Sequence, residues 1–240
     1  MAHHFFQHHD HEEKIASIHF DNCNEQNKNN CVLWYGLWIV LVGLHMIVEY
    51  SMMVAGHTTF DPDWHFGVWK LKWRSSTAET MTEIAETVRH SSRRGHNIPQ
   101  LVSDPQKPVQ FRDWKSYLQR YLRPMKKIRG YHNFYVHAET PGVVECKELC
   151  NFVPVCVNFL KDWNILPSID DPLSQEILAP GLEPRRRWSL FEEIREHCRS
   201  PTAKDISCPK PVVPKRRRQS ILPLPHHTWV KGNVYSLDDL

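Results

Sequence analysis

Two aspartates stand out by position and type. Asp21 closes the short apolar run Lys14–Phe20 (KIASIHF), and Asp63 follows the pair Asp61–Pro62, forty-two positions later. An Asp–Pro pair favours a helix start, with Asp at the N-cap and Pro in the first turn. Carboxylates that meet at one sheet edge can hold Mg²⁺ or Mn²⁺, hard cations that take oxygen ligands and substrate phosphates. Two such ions about 4 Å apart activate a nucleophile and stabilise the leaving oxygen of a phosphodiester. By spacing alone the signal is weak, and two such aspartates are more often caps or turn residues. His57 lies between them, suited to orient a water or contact a phosphate, or to serve as a structural hydrogen-bonder.

Convergence of the two acids depends on the elements between them. The strand candidate 14–20 runs into the polar loop DNCNEQNKNN, at the end of a strand where ligand sites of open α/β sheets gather. The run CVLWYGLWIVLVGLHMIV is long enough to suggest a membrane span over residues 29–48. Gly36, Gly43, His45 and the following Glu49 favour another division: a helix over 29–41, a turn at Gly43 and a buried strand over 46–55. Ser76 with Glu79 has capping-box spacing ahead of Ala78, Met81, Ile84, Ala85 and Val88. Phe111, Trp114, Tyr117, Leu118, Tyr121 and Leu122 form one apolar helix face, which packing explains better than base stacking. FYVHAETPGVVECK reads as a hairpin turning at Pro141–Gly142.

Charge is distributed unevenly. Residues 62–133 hold 14 basic and 6 acidic side chains, whereas residues 1–61 hold 2 and 7. The middle segment is therefore a candidate phosphate-binding surface, with Lys70, Lys72 and Arg74 interleaved with Trp64, Trp69 and Trp73, and with Lys28 in the upstream loop. The seven cysteines show no CxxC pair, which suggests neither a zinc site nor a disulfide framework. The histidines of MAHHFFQHHDH fit no zinc spacing and read as part of a polar helix. Beyond residue 140, where 12 of the 17 prolines lie, one more helix is expected over 183–197, with Trp188, Phe191, Ile194 and Cys198 on one face. The last forty residues read as a disordered, basic, proline-rich tail, in which Lys215–Arg218 has the form of a nuclear localisation signal.

The loop DNC-x-x-QNKN, the following LW helix and the segment GHT-x-F-x-PD-x-x-FG resemble a family of transposon-derived proteins whose domain of unknown function has RNase H-like, DDE-transposase character. GYHNFYVHAETPGVVECK and RRRWSLFEEIREHC extend the resemblance over about residues 1–211. It implies an α/β fold: an N-terminally truncated RNase H-like domain with a mixed sheet and flanking helices over 1–150. A one-helix extension over 151–200 and the tail over 201–240 would follow. It also implies that Asp21 and Asp63 are the second and third acids of a metal-dependent DNA-cleaving centre, assisted by His57, whose first acid belongs to an earlier strand. Departures from the pattern fall at Glu25, Ile39 and Thr59, where Gly, a basic residue and Lys are expected. Three readings follow: an inactive transposase-derived domain, a non-catalytic binder of nucleic acid (DNA first), or a single-pass membrane protein anchored by residues 29–48.

Overall fold

The computed structural model describes residues 2–9, 12–23, 26–53, 61–178 and 181–215. Among these residues it is a mixed α/β structure with one five-stranded sheet and seven α-helices. The chain divides into two compact units, Met1–Pro180 and Gly181–Leu240. The division falls thirty residues beyond the expected boundary at 150, because the last strand of the sheet and the core residues Phe159 and Leu160 belong to the first unit.

The first unit begins with helix α1 (Ala2–His9), strand β1 (Ile15–Phe20), helix α2 (Asn30–Leu41) and strand β2 (Ile47–Met52). β1 and β2 are parallel, with Ile15 opposite Ile47 and Phe20 opposite Met52, and α2 supplies the crossover that parallel strands need. α2 is apolar on every side, and Leu33 through Val40 are all buried. A helix of that kind belongs in an interior. Its twelve residues span about 18 Å at 1.5 Å per residue, well short of a hydrocarbon core of about 30 Å. No helix among the described residues is long and apolar enough to cross a membrane.

Both ends of α2 are fixed by local chemistry. The Asn29 side chain caps the start by accepting from Val32 N at 3.1 Å. At the other end Gly43 adopts φ +77°. Gly43 N then donates to Val40 O at 3.0 Å and Leu44 N to Ile39 O at 3.0 Å, the two bonds of a glycine-terminated helix end. The expected helix, turn and buried strand are all present, the strand ending at Met52.

Strands β3 (Asn133–His137), β4 (Val143–Lys147) and β5 (Val155–Asn158) continue the sheet antiparallel, in the order β1-β2-β3-β4-β5. The hairpin turn contains Gly142 at φ +76°, as expected. Alternation along β2, β3 and β4 sends Val48, Tyr50, Met52, Phe134, Val136, Val144 and Cys146 into the core beneath α2. The other face presents Glu49, Asn133, Tyr135, Glu145 and Lys147, a polar surface. Helix α5 (Trp114–Leu118) seats Tyr117 and Leu118 against the core. It is far shorter than the apolar face from 111 to 122 suggested, and Leu122 instead bridges to Leu160. The turn after it is tied to α2, with Trp34 Nε1 donating to Arg123 O at 2.9 Å and Met125 N to Asn30 Oδ1 at 2.7 Å.

α1 is helical, as the histidine-rich stretch suggested, and one side of it is packed while Gln7, His8 and His9 stay exposed. His4 is buried, and His3 packs edge-on against Tyr35, Trp38 and Trp114. His3 Nδ1 lies 3.1 Å from the Tyr35 hydroxyl. Burial, then the Arg112 guanidinium, lowers the His3 pKa to about 4, so the ring is neutral at pH 7.

In the second unit, the helix expected over 183–197 is present but changes its winding. α6 (Pro184–Ser189) passes into a π-helical turn over Leu190–Ile194 and a 3₁₀ turn over Arg195–His197. Helix α7 (Pro201–Ser207) follows, inside the stretch expected to be disordered. The Arg195 guanidinium explains its order: it donates to Lys204 O and Cys208 O and pairs with Asp205 at 2.6 Å. Lys215 pairs with Glu192 at 2.6 Å; the rest of the basic run, Arg216–Arg218, lies outside the described residues.

Candidate functional site

The loop after β1 folds around its own side chains. Asp21 Oδ1 accepts from Cys23 N at 3.2 Å and from the Asn27 side-chain amide. Asn27 N and Lys28 N both donate to Cys23 O, at 2.8 and 3.1 Å. Asn29 caps α2, while its amide donates to Gln26 O at 2.9 Å. Each polar residue from Asn27 to Asn30 therefore holds part of the fold, since Asn30 anchors Met125 and Lys28 Nζ donates to Arg129 O at 3.0 Å.

Lys28 was expected among the nucleic-acid contacts, and the structure turns it inward. It is 2% exposed, and burial lowers its pKa below the usual lysine range. Its ammonium satisfies a carbonyl of the fold, not a phosphate of a partner.

The sheet brings Asp21 to the C-terminal end of β1, beside the C-terminal end of its parallel neighbour β2. Asp63 sits in the first turn of helix α3 (Asp61–Arg74) and is exposed. His57, Glu25 and Thr59 lie outside the described residues. Among the described residues no group of three His, Cys, Asp or Glu side chains comes together to hold a metal. Asp21 is engaged as a turn-forming acceptor within its own loop.

α3 pairs with helix α4 (Met81–Arg89). Trp69 Nε1 donates to Thr87 Oγ1 at 3.0 Å across the pair, and the Trp69 and Trp73 rings stack with centroids 5.7 Å apart. The capping box that starts α4 is Thr80–Glu83, not Ser76–Glu79. Ser76 Oγ instead donates to Lys72 O at 2.7 Å, closing the end of α3. Glu83 Oε2 takes the Glu79 and Thr80 amides, which lower its pKa.

The apolar residues of α3 at 64, 66, 68, 69, 71 and 73 surround a 3.6-residue helix, so one neighbour cannot cover them all. α4 takes the Trp69 side. Trp64 (67% exposed), Leu71 (68%), Phe66 and Trp73 remain at the surface. Lys70, Lys72 and Arg74 are exposed among them, with Lys70 Nζ 5.4 Å above the Phe66 ring. Arg89, Arg93 and Arg94, at and beyond the end of α4, are exposed too. These three arginines were not picked out from the sequence, although the basic excess over 62–133 included them. The α3–α4 arm thus combines cations that can pair with phosphates and flat rings that can stack on bases.

A family model described as a domain of unknown function, DUF7869, matches residues 2–151. The chain belongs to this family. The DUF7869 match takes in the sheet from β1 to β4, both helices of the arm and the loop of Asp21. No curated protein and no solved structure matches the chain.

Proposed function

We propose that this chain is a non-catalytic nucleic-acid-binding protein, derived from an RNase H-like transposase domain, that grips DNA with its α3–α4 arm. The observation that carries the reading is the joint exposure of Lys70, Lys72 and Arg74 with Trp64, Phe66 and Trp73 on one helix. Neutralised phosphates supply most of the affinity of such surfaces, and aromatic stacking adds a contribution that tolerates any sequence. The ancestry is supported by the motif resemblance and by the acid Asp21 at the end of a strand in a parallel βαβ unit. Basic residues 215–218 would serve nuclear import in this reading.

The test is fluorescence anisotropy of labelled duplex and single-stranded DNA with the full chain. Binding should weaken steeply with added salt and drop in Lys70→Ala/Lys72→Ala/Arg74→Ala, while Asp21→Asn leaves it unchanged. Affinity independent of salt ends the proposal. Incubation of the same DNA with Mg²⁺ or Mn²⁺ should leave it intact, and cleavage that disappears in Asp63→Ala would restore the catalytic reading.

A further inference from the structure

β1 is an edge strand whose outer side carries no strand among the described residues. Lys14 O accepts from Met46 N and Ile47 N, and Phe20 O accepts from Met53 N. Residues 14, 16, 18 and 20 therefore direct their backbone groups toward β2. Along a parallel strand the intervening residues point the other way, so the N–H and C=O groups of Ile15, Ser17 and His19 face outward. Beside them runs an open cleft of about 670 Å³ between β1 and α1, walled by Phe5, Phe6, Ala16, Ile18 and His45. Phe5 is 57% exposed and Ile15 is 59% exposed. An unpaired edge beside an apolar helix wall is the arrangement that accepts an added β-strand.

We infer that the added strand is β1 of a second copy of this chain, paired antiparallel across a two-fold axis perpendicular to the sheet. Such an axis keeps each sheet face on its own side, so paired residues must have the same parity. The register centred on Ile18 satisfies that condition with the best chemistry. It sets Ile18 against Ile18 and Ala16 against Phe20 on the cleft side, where Phe5 and Phe6 of both copies cover the seam. On the other side Ser17 faces His19, and these two residues exchange the outward N–H and C=O groups. The alternative register centred on Ser17 would set Lys14 against Phe20, an unfavourable opposition beneath an apolar wall. Closed two-fold pairing also removes the exposed edge. The interface is separate from the α3–α4 arm, so it stands or falls independently of nucleic-acid binding.

The test is sedimentation of the full chain over a dilution series, with Ser17→Pro and Ser17→Ala. Proline at 17 removes an outward N–H and none of those bonded to β2, and prolines are tolerated on edge strands. The wild type and Ser17→Ala should sediment at twice 28.4 kDa, and Ser17→Pro at the monomer mass with unchanged circular dichroism. Amide hydrogen exchange of the wild type at Ile15, Ser17 and His19 should slow as concentration rises, which decides the matter even if the proline variant fails to fold. A wild type that stays monomeric at every concentration overturns the inference. A dimer that persists in folded Ser17→Pro, or amide protection at these residues independent of concentration, overturns it too.

Discussion

Gly36 lies in the middle of α2, directly above Tyr50 of β2, and replacing it with alanine sets two effects against each other. Ala favours a helix over Gly by about 1 kcal/mol. A β-carbon at 36, however, would stand 2.7 Å from the Tyr50 hydroxyl oxygen and 2.8 and 2.9 Å from two ring carbons. Tyr50 is fully enclosed, with Phe20 edge-on at 5.3 Å, so its ring cannot swing aside. Overpacking of this kind costs about 1–3 kcal/mol, and three contacts below 3 Å place it toward the upper end. The net expectation for Gly36→Ala is a loss of about 1–2 kcal/mol. Urea unfolding followed by circular dichroism should show the midpoint falling by about 0.5–1 M, with m near 2 kcal/mol/M. In a Tyr50→Leu background the obstacle is gone, and the same substitution should raise the midpoint through its helix propensity. A higher midpoint for Gly36→Ala in the wild type, or equal losses in both backgrounds, would refute the close helix–sheet contact.

Further outcomes follow from the same packing. His3 has a folded pKa of about 4 against about 6.5 unfolded. The unfolded chain therefore takes up its proton first, and stability is lost as pH falls from about 6.5 through 4. His3→Gln should flatten that part of the urea-midpoint profile, and an unchanged profile would show that His3 does not stay neutral in the fold. Cys146 is buried with its thiol pKa raised by burial to about 12, whereas Cys150 and Cys156 are exposed. A maleimide should label the latter two in the native state and reach Cys146 only on unfolding, as read by peptide mass spectrometry. Thr80→Ala removes the side-chain half of the α4 capping box, the bond from Glu83 N to Thr80 Oγ1, and should cost about 1 kcal/mol. It should speed amide exchange within Met81–Arg89 while leaving the sheet amides unchanged.

What could be read from the chain alone was set by local periodicity and punctuation. The strand 14–20, the helix–Gly43–strand division of the long apolar run, and the hairpin at Gly142 each depend on neighbours within a few residues. Features that depend on distant partners were not legible. Lys28 reads as a loop cation until the Arg129 carbonyl, 101 residues on, accepts from its ammonium. The histidines of α1 read as polar until Tyr35, Trp38 and Trp114 close around His3. The order of 201–207 depends on Arg195 reaching forward to its carbonyls. The S-x-x-E and T-x-x-E pairs follow one another directly in SSTAETMTE, and only the preceding helix, which takes Ser76, selects the second. The position of Asp21 at a strand end was visible; its hydrogen bonds with Cys23 and Asn27, which recast it as a turn residue, were not.

The most direct measurement of the central claim is the slope of log affinity against log salt concentration for duplex DNA, in the wild type and in Lys70→Ala/Lys72→Ala/Arg74→Ala. Each phosphate neutralised contributes about 0.9 to the magnitude of that slope, so removing three cations should reduce it by about 2.7. A steep wild-type slope that shrinks by that amount would place the DNA backbone on α3. A slope that is flat, or identical in the two proteins, would contradict nucleic-acid binding by this arm.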